Sequence, residues 1–181
     1  GYSELLIDDA GDDDNEEYIP DLEKISNAGK HLLGLINDIL DLSKIEVGKI
    51  ELFIEEFDVA GMLTDVSDTI RPLITNNNNK LVIKQADDVV TIHTDMTKLR
   101  QNLFNLLSNA AKFSKDSDVI IRVNNVDSSN GTLIEFHVED QGIGMTPSQL
   151  DNIFDPFTQA DSSTSKKFGG TGLGLTITRE F

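Results

Sequence analysis

Cysteine is absent from this sequence, so neither a disulfide framework nor a thiolate metal site is available to it. A reducing, cytoplasmic setting is the expectation. Also missing is any window near the ~20 consecutive apolar residues that a membrane span requires. No signal peptide is visible. No membrane contact is expected of these residues, although a longer parent protein could be anchored. Positive charge is scarce, since 15 Lys and Arg stand against 32 Asp and Glu and leave a formal net charge of −17. A chain of that charge is repelled by phosphate backbones and anionic lipid heads, which argues against nucleic acid as a partner. Any nucleotide it binds needs local positive charge and a divalent cation to overcome the field. Glycine-rich phosphate loops of the familiar kinds are absent too. There is no GxxxxGK[ST], and the one glycine-rich run follows the polar stretch SSTSKK rather than a strand, so it is not a dinucleotide fingerprint.

What is present suits a folded chain. Of 181 residues, 38% are hydrophobic and 26% charged, enough for a domain of roughly 130 residues with an appendage. No internal repeat is evident. Residues 1–10 read as the end of a helix and GDDDN at 11–15 as an acidic turn. A helix then starts near Glu16, with Pro20 in its first turn. Ile25, Ala28, Leu32, Leu35, Ile39 and Leu42 follow a 3-4-3-4-3 spacing, and Leu33, Ile36 and Leu40 add a second apolar row. This is either a domain's own core helix or, as favoured here, one arm of a helical hairpin that dimerises into a four-helix bundle.

From Ile50 the pattern changes. A short strand precedes a helix capped by Asp58, LVIKQ and TIHT read as strands, and Asp95 caps a helix running to about Phe113. Two longer strands, SDVIIRVNNV and TLIEFHVED, flank the turn DSSNG. A loop-rich stretch with one short helix ends in GGTGLGLTITREF, a glycine-rich turn entering a helix. Helices and mostly antiparallel strands without βαβ regularity predict an α+β sandwich.

Three features carry chemistry. Asn102, Asn105 and Asn109 recur at i, i+3 and i+7 beside the apolar stripe of Leu99, Leu103, Leu106, Leu107 and Ala110. Asparagine is a mediocre helix former, so this face is either simply solvated or a set of amides aimed into a polar cavity, with Lys112 a turn further on. Amide oxygen is a hard donor suited to Mg²⁺, and an ammonium reaches phosphate. On the strand 133–140, Ile134, Phe136 and Val138 share a face, and Asp140 continues that register. It reads either as a buried carboxylate beside space opened by Gly142 and Gly144, or as an ordinary Asp-x-Gly turn. Third, backbone N–H groups of GGTGLGLTI (169–177) at a helix start make an anion site.

Together these stretches resemble the histidine kinase family. NLFNLLSNAAKFS looks like its N box, VEDQGIGM its G1 box, IFDPFTQAD its F box and GGTGLGLTI its G2 box, and LINDILDLSKIEVGKIEL resembles the second helix of its dimerisation and phosphotransfer hairpin. The resemblance implies two parts: residues 1–48, a partial hairpin lacking the acceptor histidine, and residues 49–181, the catalytic ATP-binding domain, short of the family's last strands. It implies a two-layer α/β sandwich of the type shared with gyrase B, MutL and a heat-shock chaperone, with ATP and Mg²⁺ as cofactors.

Carried onto this sequence, the likeness makes Asn109 the Mg²⁺ ligand with Asn105 alongside, and Lys112 a phosphate contact. Phe113 borders ribose and adenine, Asp140 accepts from the adenine amine, and Gly142 and Gly144 shape the base pocket. Gly170, Thr171, Gly172, Leu173 and Gly174 close around the phosphates. Phe154 and Phe157 anchor the family's lid, where Lys166 and Lys167 either reach the γ-phosphate or are simply solvated. ATPases of this fold carry Glu where Asn105 stands, and an amide cannot act as general base at neutral pH. Hydrolysis is therefore expected to be poor, with the γ-phosphoryl going to a histidine and on to a response-regulator receiver domain. None of His31, His93 and His137 resembles the acceptor, so these residues alone are expected not to autophosphorylate. The rivals are a non-kinase ATPase of the same fold, a serine or mitochondrial-type kinase, and a dimerisation or scaffold module with a vestigial pocket.

Overall fold

The computed structural model describes residues 1–2, 5–7, 18–129, 131–158 and 171–181. The chain divides into two compact units, Gly1–Lys49 and Ile50–Phe181. In the first, α1 (Ile19–Glu46) carries Pro20 in its opening turn, where the missing N–H is no loss. Taken as a single unit, α1 leaves Ile25, Leu32, Leu33, Ile36, Ile39 and Leu40 exposed, each at 46% or more of its maximal surface. No described helix is long and apolar enough to cross a membrane.

The second unit begins with β1 (Glu55–Asp58) and α2 (Val59–Asn76). Asp58 caps α2 by accepting from the Gly61 N–H, the role its position before an apolar-periodic run predicts. Then come β2 (Lys80–Gln85), β3 (Thr91–Thr94) and α3 (Met96–Phe113). Asp95, buried at 7% exposure, caps α3 by accepting from the Lys98 N–H at 3.0 Å, and its other oxygen accepts from the Phe53 N–H at 2.9 Å. Burial pushes this carboxyl upward, but backbone donors from Lys98, Phe53 and Thr97, with the Lys98 charge, hold it below its ordinary value. The chain continues through β4 (Asp118–Ser128), β5 (Gly131–Glu139), α4 (Pro147–Asn152) and α5 (Gly174–Glu180).

Two sheets form rather than one. β1 pairs antiparallel with β3, while β2, β4 and β5 make a three-stranded sheet with β4 central. β4 and β5 form the expected hairpin, Ile120 facing Glu139 and Ser128 facing Gly131. β2 and β4 are parallel, with Leu81 opposite Val119 and Ile83 opposite Ile121. Their crossover runs through β3 and α3, since parallel neighbours need a long connection. Val119, Ile121 and Val123 of β4 point to one face, covered by Leu63, Val66 and Ile70 of α2 and by Leu103, Leu107 and Ala111 of α3. Ile134, Phe136 and Val138 of β5 pack partly buried against the same cluster. This is a two-layer α/β sandwich, with helices on one side of the sheet.

The asparagine run at 76–79 does more than stop α2. Asn78 takes a left-handed φ of 54°, a conformation asparagine tolerates better than most residues. The Asn79 N–H returns to the Ile74 carbonyl at 3.1 Å, and the Asn78 N–H to that of Thr75 at 2.9 Å, in the manner of a Schellman closure. The Asn79 side chain is 5% exposed. It donates to the carbonyls of Ala111 (3.2 Å) and Ser114 (3.0 Å) and accepts from the Ser117 N–H (3.2 Å) and hydroxyl (3.3 Å). Asn77 also donates to the Ala111 carbonyl, at 2.9 Å. The last turn of α3 is thereby clamped from outside the helix, satisfying carbonyls that a helix end leaves without partners.

Candidate functional site

The C-terminal half of α3 presents Asn105, Asn109, Lys112 and Phe113, all half-buried. Asn105 reaches across to α5, where its Nδ2 donates to the Gly174 carbonyl at 3.2 Å and to the Thr178 hydroxyl at 3.4 Å. The contact is close enough that a Cβ on Gly174 would lie 3.3 Å from the Asn105 amide carbon. Asn109 lies one turn on, on the same side of α3. Burial lowers the Lys112 ammonium below its ordinary value, and its Nζ lies 4.8 Å from the centre of the Phe113 ring, within cation–π range.

The segment after β5 meets the same helix end. A Cβ on Gly142 would fall 2.6 Å from the Phe113 carbonyl oxygen and 2.8 Å from Asp140 Oδ1. Only glycine fits there without movement. Gly144 is required for another reason, its left-handed φ of 66°. Asp140 itself is exposed, which corrects the buried-carboxylate reading. β5 ends at Glu139, so Asp140 has left the strand, and its Oδ1 accepts from the Gly142 N–H at 2.8 Å and from the Ser114 hydroxyl at 3.4 Å.

The glycine-rich turn completes the arrangement. Thr171 Oγ1 accepts from the Leu173 N–H at 3.0 Å. Gly172, at φ 72°, accepts through its carbonyl from the Phe157 N–H at 3.1 Å. A Cβ there would sit 2.9 Å from the Phe157 carbonyl carbon. Phe157 itself holds φ 60°, a conformation rare for a bulky residue and kept only where surroundings demand it. Phe154 and Phe157 are exposed at 41% and 64%, and the lid that they are expected to anchor lies outside the described residues. It is the backbone of Phe157 that grips the turn. The Leu173 side chain is fully buried, so only its main chain can face a ligand. Lys166, Lys167 and Gly170 lie outside the described residues.

The three-asparagine face does not serve one cavity. Asn102 lines a small separate cavity of about 90 Å³ with Leu52, Thr94, Asp95, Lys98, Leu99 and Phe181, and its Oδ1 is buried with no hydrogen-bond partner among the described residues. Asn79 and Ser114, which shape the α3 end, were not singled out from the sequence. The only signal was an asparagine run followed, 35 residues later, by a serine just past a helix.

Comparison with known proteins decides the family. Residues 94–181 match the family described as histidine kinase-, DNA gyrase B-, and HSP90-like ATPase. The chain is 36% identical over 182 residues to the autoinducer 2 sensor kinase/phosphatase LuxQ of Vibrio harveyi, covering 99% of this chain and 21% of that protein. It is 41% identical over 160 residues to hybrid signal transduction histidine kinase B of Dictyostelium discoideum, covering 87% of this chain and 8% of that protein. Residues 94–181 carry an ATP-binding catalytic domain of the histidine kinase type. Among solved structures, full-length ShkA in complex with AMPPNP superposes with a TM-score of 0.74 at 29% identity, over 92% of this chain and 33% of that one. The histidine kinase AdeS of Acinetobacter baumannii shares the fold with a TM-score of 0.70 at 20% identity, over 98% of this chain and 82% of that one. The chain spans about a fifth or less of the two curated relatives described.

Proposed function

We propose that this chain binds ATP at the junction of α3, the Asp140–Gly144 segment and the Gly172–Gly174 turn, and that its γ-phosphoryl passes to a histidine outside residues 1–181. The observation that supports the reading is that three separated motifs meet the C-terminal half of α3: Asn105 bonded to Gly174, Gly142 packed on the Phe113 carbonyl, and Ser114, just past the helix, donating to Asp140. In this reading Asp140 accepts from the adenine amine and Phe113 flanks the base. Gly142 and Gly144 let the backbone approach it. Lys112 and main-chain N–H groups of residues 170–174 meet the phosphates, with Lys167 above them. The half-buried Lys112 ammonium suits a phosphate partner, since a desolvated cation gains more from an anion than a hydrated one does.

Mg²⁺ fits this donor set only as a companion of the nucleotide. No group of three or more His, Cys, Asp or Glu side chains able to hold a metal exists among the described residues, and Mg²⁺ usually takes one or two protein oxygens with phosphates and water. Asn109 is the residue proposed to hold it, supplying a neutral oxygen beside Asn105. The ion would neutralise charge on the transferring phosphoryl group. Asn105, whose amide is engaged with α5, has no general-base function in this reading, which favours phosphoryl transfer over hydrolysis. Relay to the aspartate of a response-regulator receiver domain, and homodimerisation through α1 as part of a helical hairpin over residues 1–48, complete the proposal.

Calorimetric titration of ATP with Mg²⁺ tests it. Asp140→Asn is expected to weaken ATP binding by about 1–3 kcal/mol, because the amide can present N–H₂ to a donor. An unchanged affinity would count against the pocket. A parent chain that binds no ATP would favour the scaffold reading instead.

A further inference from the structure

Resting on the adenine reading of Asp140, we infer that Ser114 is a positioning residue for base selection, turning the Asp140 carboxylate toward the exocyclic amine of adenine. Ser114 is 2% exposed and sits one residue past α3, outside every group assigned a ligand contact above. Its backbone is fixed on both sides. The N–H donates to the Ala110 carbonyl at 3.0 Å, and the carbonyl accepts from Asn79 Nδ2 at 3.0 Å. The hydroxyl therefore starts from a rigid origin, and it donates to Asp140 Oδ1 at 3.4 Å.

The Gly142 N–H donates to that same oxygen at 2.8 Å. Two donors on one oxygen set the rotation of a carboxylate that is otherwise exposed, because the terminal torsion of aspartate is broad and weakly restrained by itself. With Oδ1 so occupied, Oδ2 becomes the acceptor offered to a ligand amine. The Ser114 bond is at the long end of the hydrogen-bond range, so its effect should be graded rather than absolute. It should also fall on the choice of base rather than on phosphate binding, which other residues carry.

The test compares ADP with inosine diphosphate, whose base has a carbonyl oxygen where adenine has the amine. Affinities are measured for the parent chain and for Ser114→Ala, Ser114→Cys and Ser114→Thr, with thermal melts as the control for folding. The parent should prefer ADP. In Ser114→Ala the preference should shrink about threefold to tenfold, the usual worth of one hydrogen bond, through weaker ADP binding and nearly unchanged inosine diphosphate binding. Ser114→Cys, which keeps a γ atom at that position but is a far weaker donor, should behave alike, and Ser114→Thr should restore the preference. A general loosening of the helix end would instead weaken both nucleotides together, and that result overturns the inference. So does a preference unchanged in Ser114→Ala and Ser114→Cys while the parent discriminates. A parent chain indifferent to the two bases overturns the adenine reading of Asp140, and the inference falls with it.

Discussion

Asn79→Ala is the substitution from which most can be calculated. It removes four hydrogen bonds, but their loss is unequal. The Ala111 carbonyl keeps its bond from Asn77 at 2.9 Å, and the Ser117 hydroxyl can rotate. The Ser114 carbonyl loses a donor in a place where its residue is 2% exposed, and an abandoned buried acceptor costs about 1–3 kcal/mol. The Ser117 N–H loses its acceptor too, on a half-buried residue that water can reach, adding a bond's net worth of about 1 kcal/mol. The expected destabilisation is therefore about 2–4 kcal/mol. For a unit of this size each kcal/mol moves the midpoint by about 3–5 °C, so a drop near 10 °C is expected. Asn77→Ala supplies the internal control and should cost only about 0.5–1.5 kcal/mol, since Asn79 still holds the Ala111 carbonyl. The chain has no tryptophan, so urea unfolding followed by far-UV circular dichroism is the assay, with unchanged slopes required before midpoints are compared. An Asn79→Ala loss below about 0.5 kcal/mol, or an Asn77→Ala loss larger than it, would refute the clamp.

Three further outcomes are expected. Asp95→Asn should cost about 1–2 kcal/mol at pH 7, because both carboxylate oxygens accept from backbone N–H groups and an amide has one acceptor. Since folding lowers this carboxyl, its contribution is present above the unfolded value of about 4 and is lost as pH falls through the folded one, so a wild-type advantage that persists undiminished in strong acid would contradict it. Asn109→Ala should reduce the Mg²⁺-dependence of ATP binding more than binding without the metal; equal affinity with and without Mg²⁺ in the parent chain would remove its basis. The exposed apolar rows of α1 should drive homodimerisation, Leu32→Asp with Leu40→Asp giving monomers in sedimentation, and a parent chain monomeric at high concentration would speak against it.

Much of the local structure was legible because its causes are local. Asp58 and Asp95 each stand just before an apolar-periodic run, and a carboxylate there has few competing uses. The alternation in IIRV and IEFHV around DSSNG has one economical solution, a hairpin. The parallel pairing of β2 with β4 was not legible, because partners such as Leu81 and Val119 are separated by a whole strand and helix. Asp140 misled for a sharper reason. Alternation tells which face a residue would occupy if the strand continued, and says nothing of the strand ending at Glu139, after which the Gly142 N–H sets the carboxylate's direction. Asn79 was hidden among like neighbours. Four asparagines in a row read as a helix stop, which Asn78 serves, while the burial of the next residue depends on α3 arriving from 32 residues away. Likewise the amide of Asn105 reads as pointing into a cavity until α5 is in place to receive it.

Charge poses the remaining question, since a chain of net −17 is proposed to accept a polyanion. Long-range steering works against encounter, but it is screened within about 8–10 Å at ordinary salt and does not decide what happens at contact. There the balance is local. Lys112 is half-buried and its ammonium already disfavoured by burial, so an incoming phosphate relieves a cost that folding has imposed, whereas at a hydrated surface lysine it would first have to displace water. The main-chain N–H groups of a tight turn add positive partial charge without adding a side chain, and the Gly172 turn is held in place by the Phe157 backbone. In the proposed site Mg²⁺ would join through the phosphates rather than through a carboxylate cluster, so no acidic residues need stand beside the anion. In the proposed reading an acidic protein can thus hold ATP with one desolvated cation, oriented backbone and a metal that arrives with its ligand, while most of its carboxylates stay away from the phosphates.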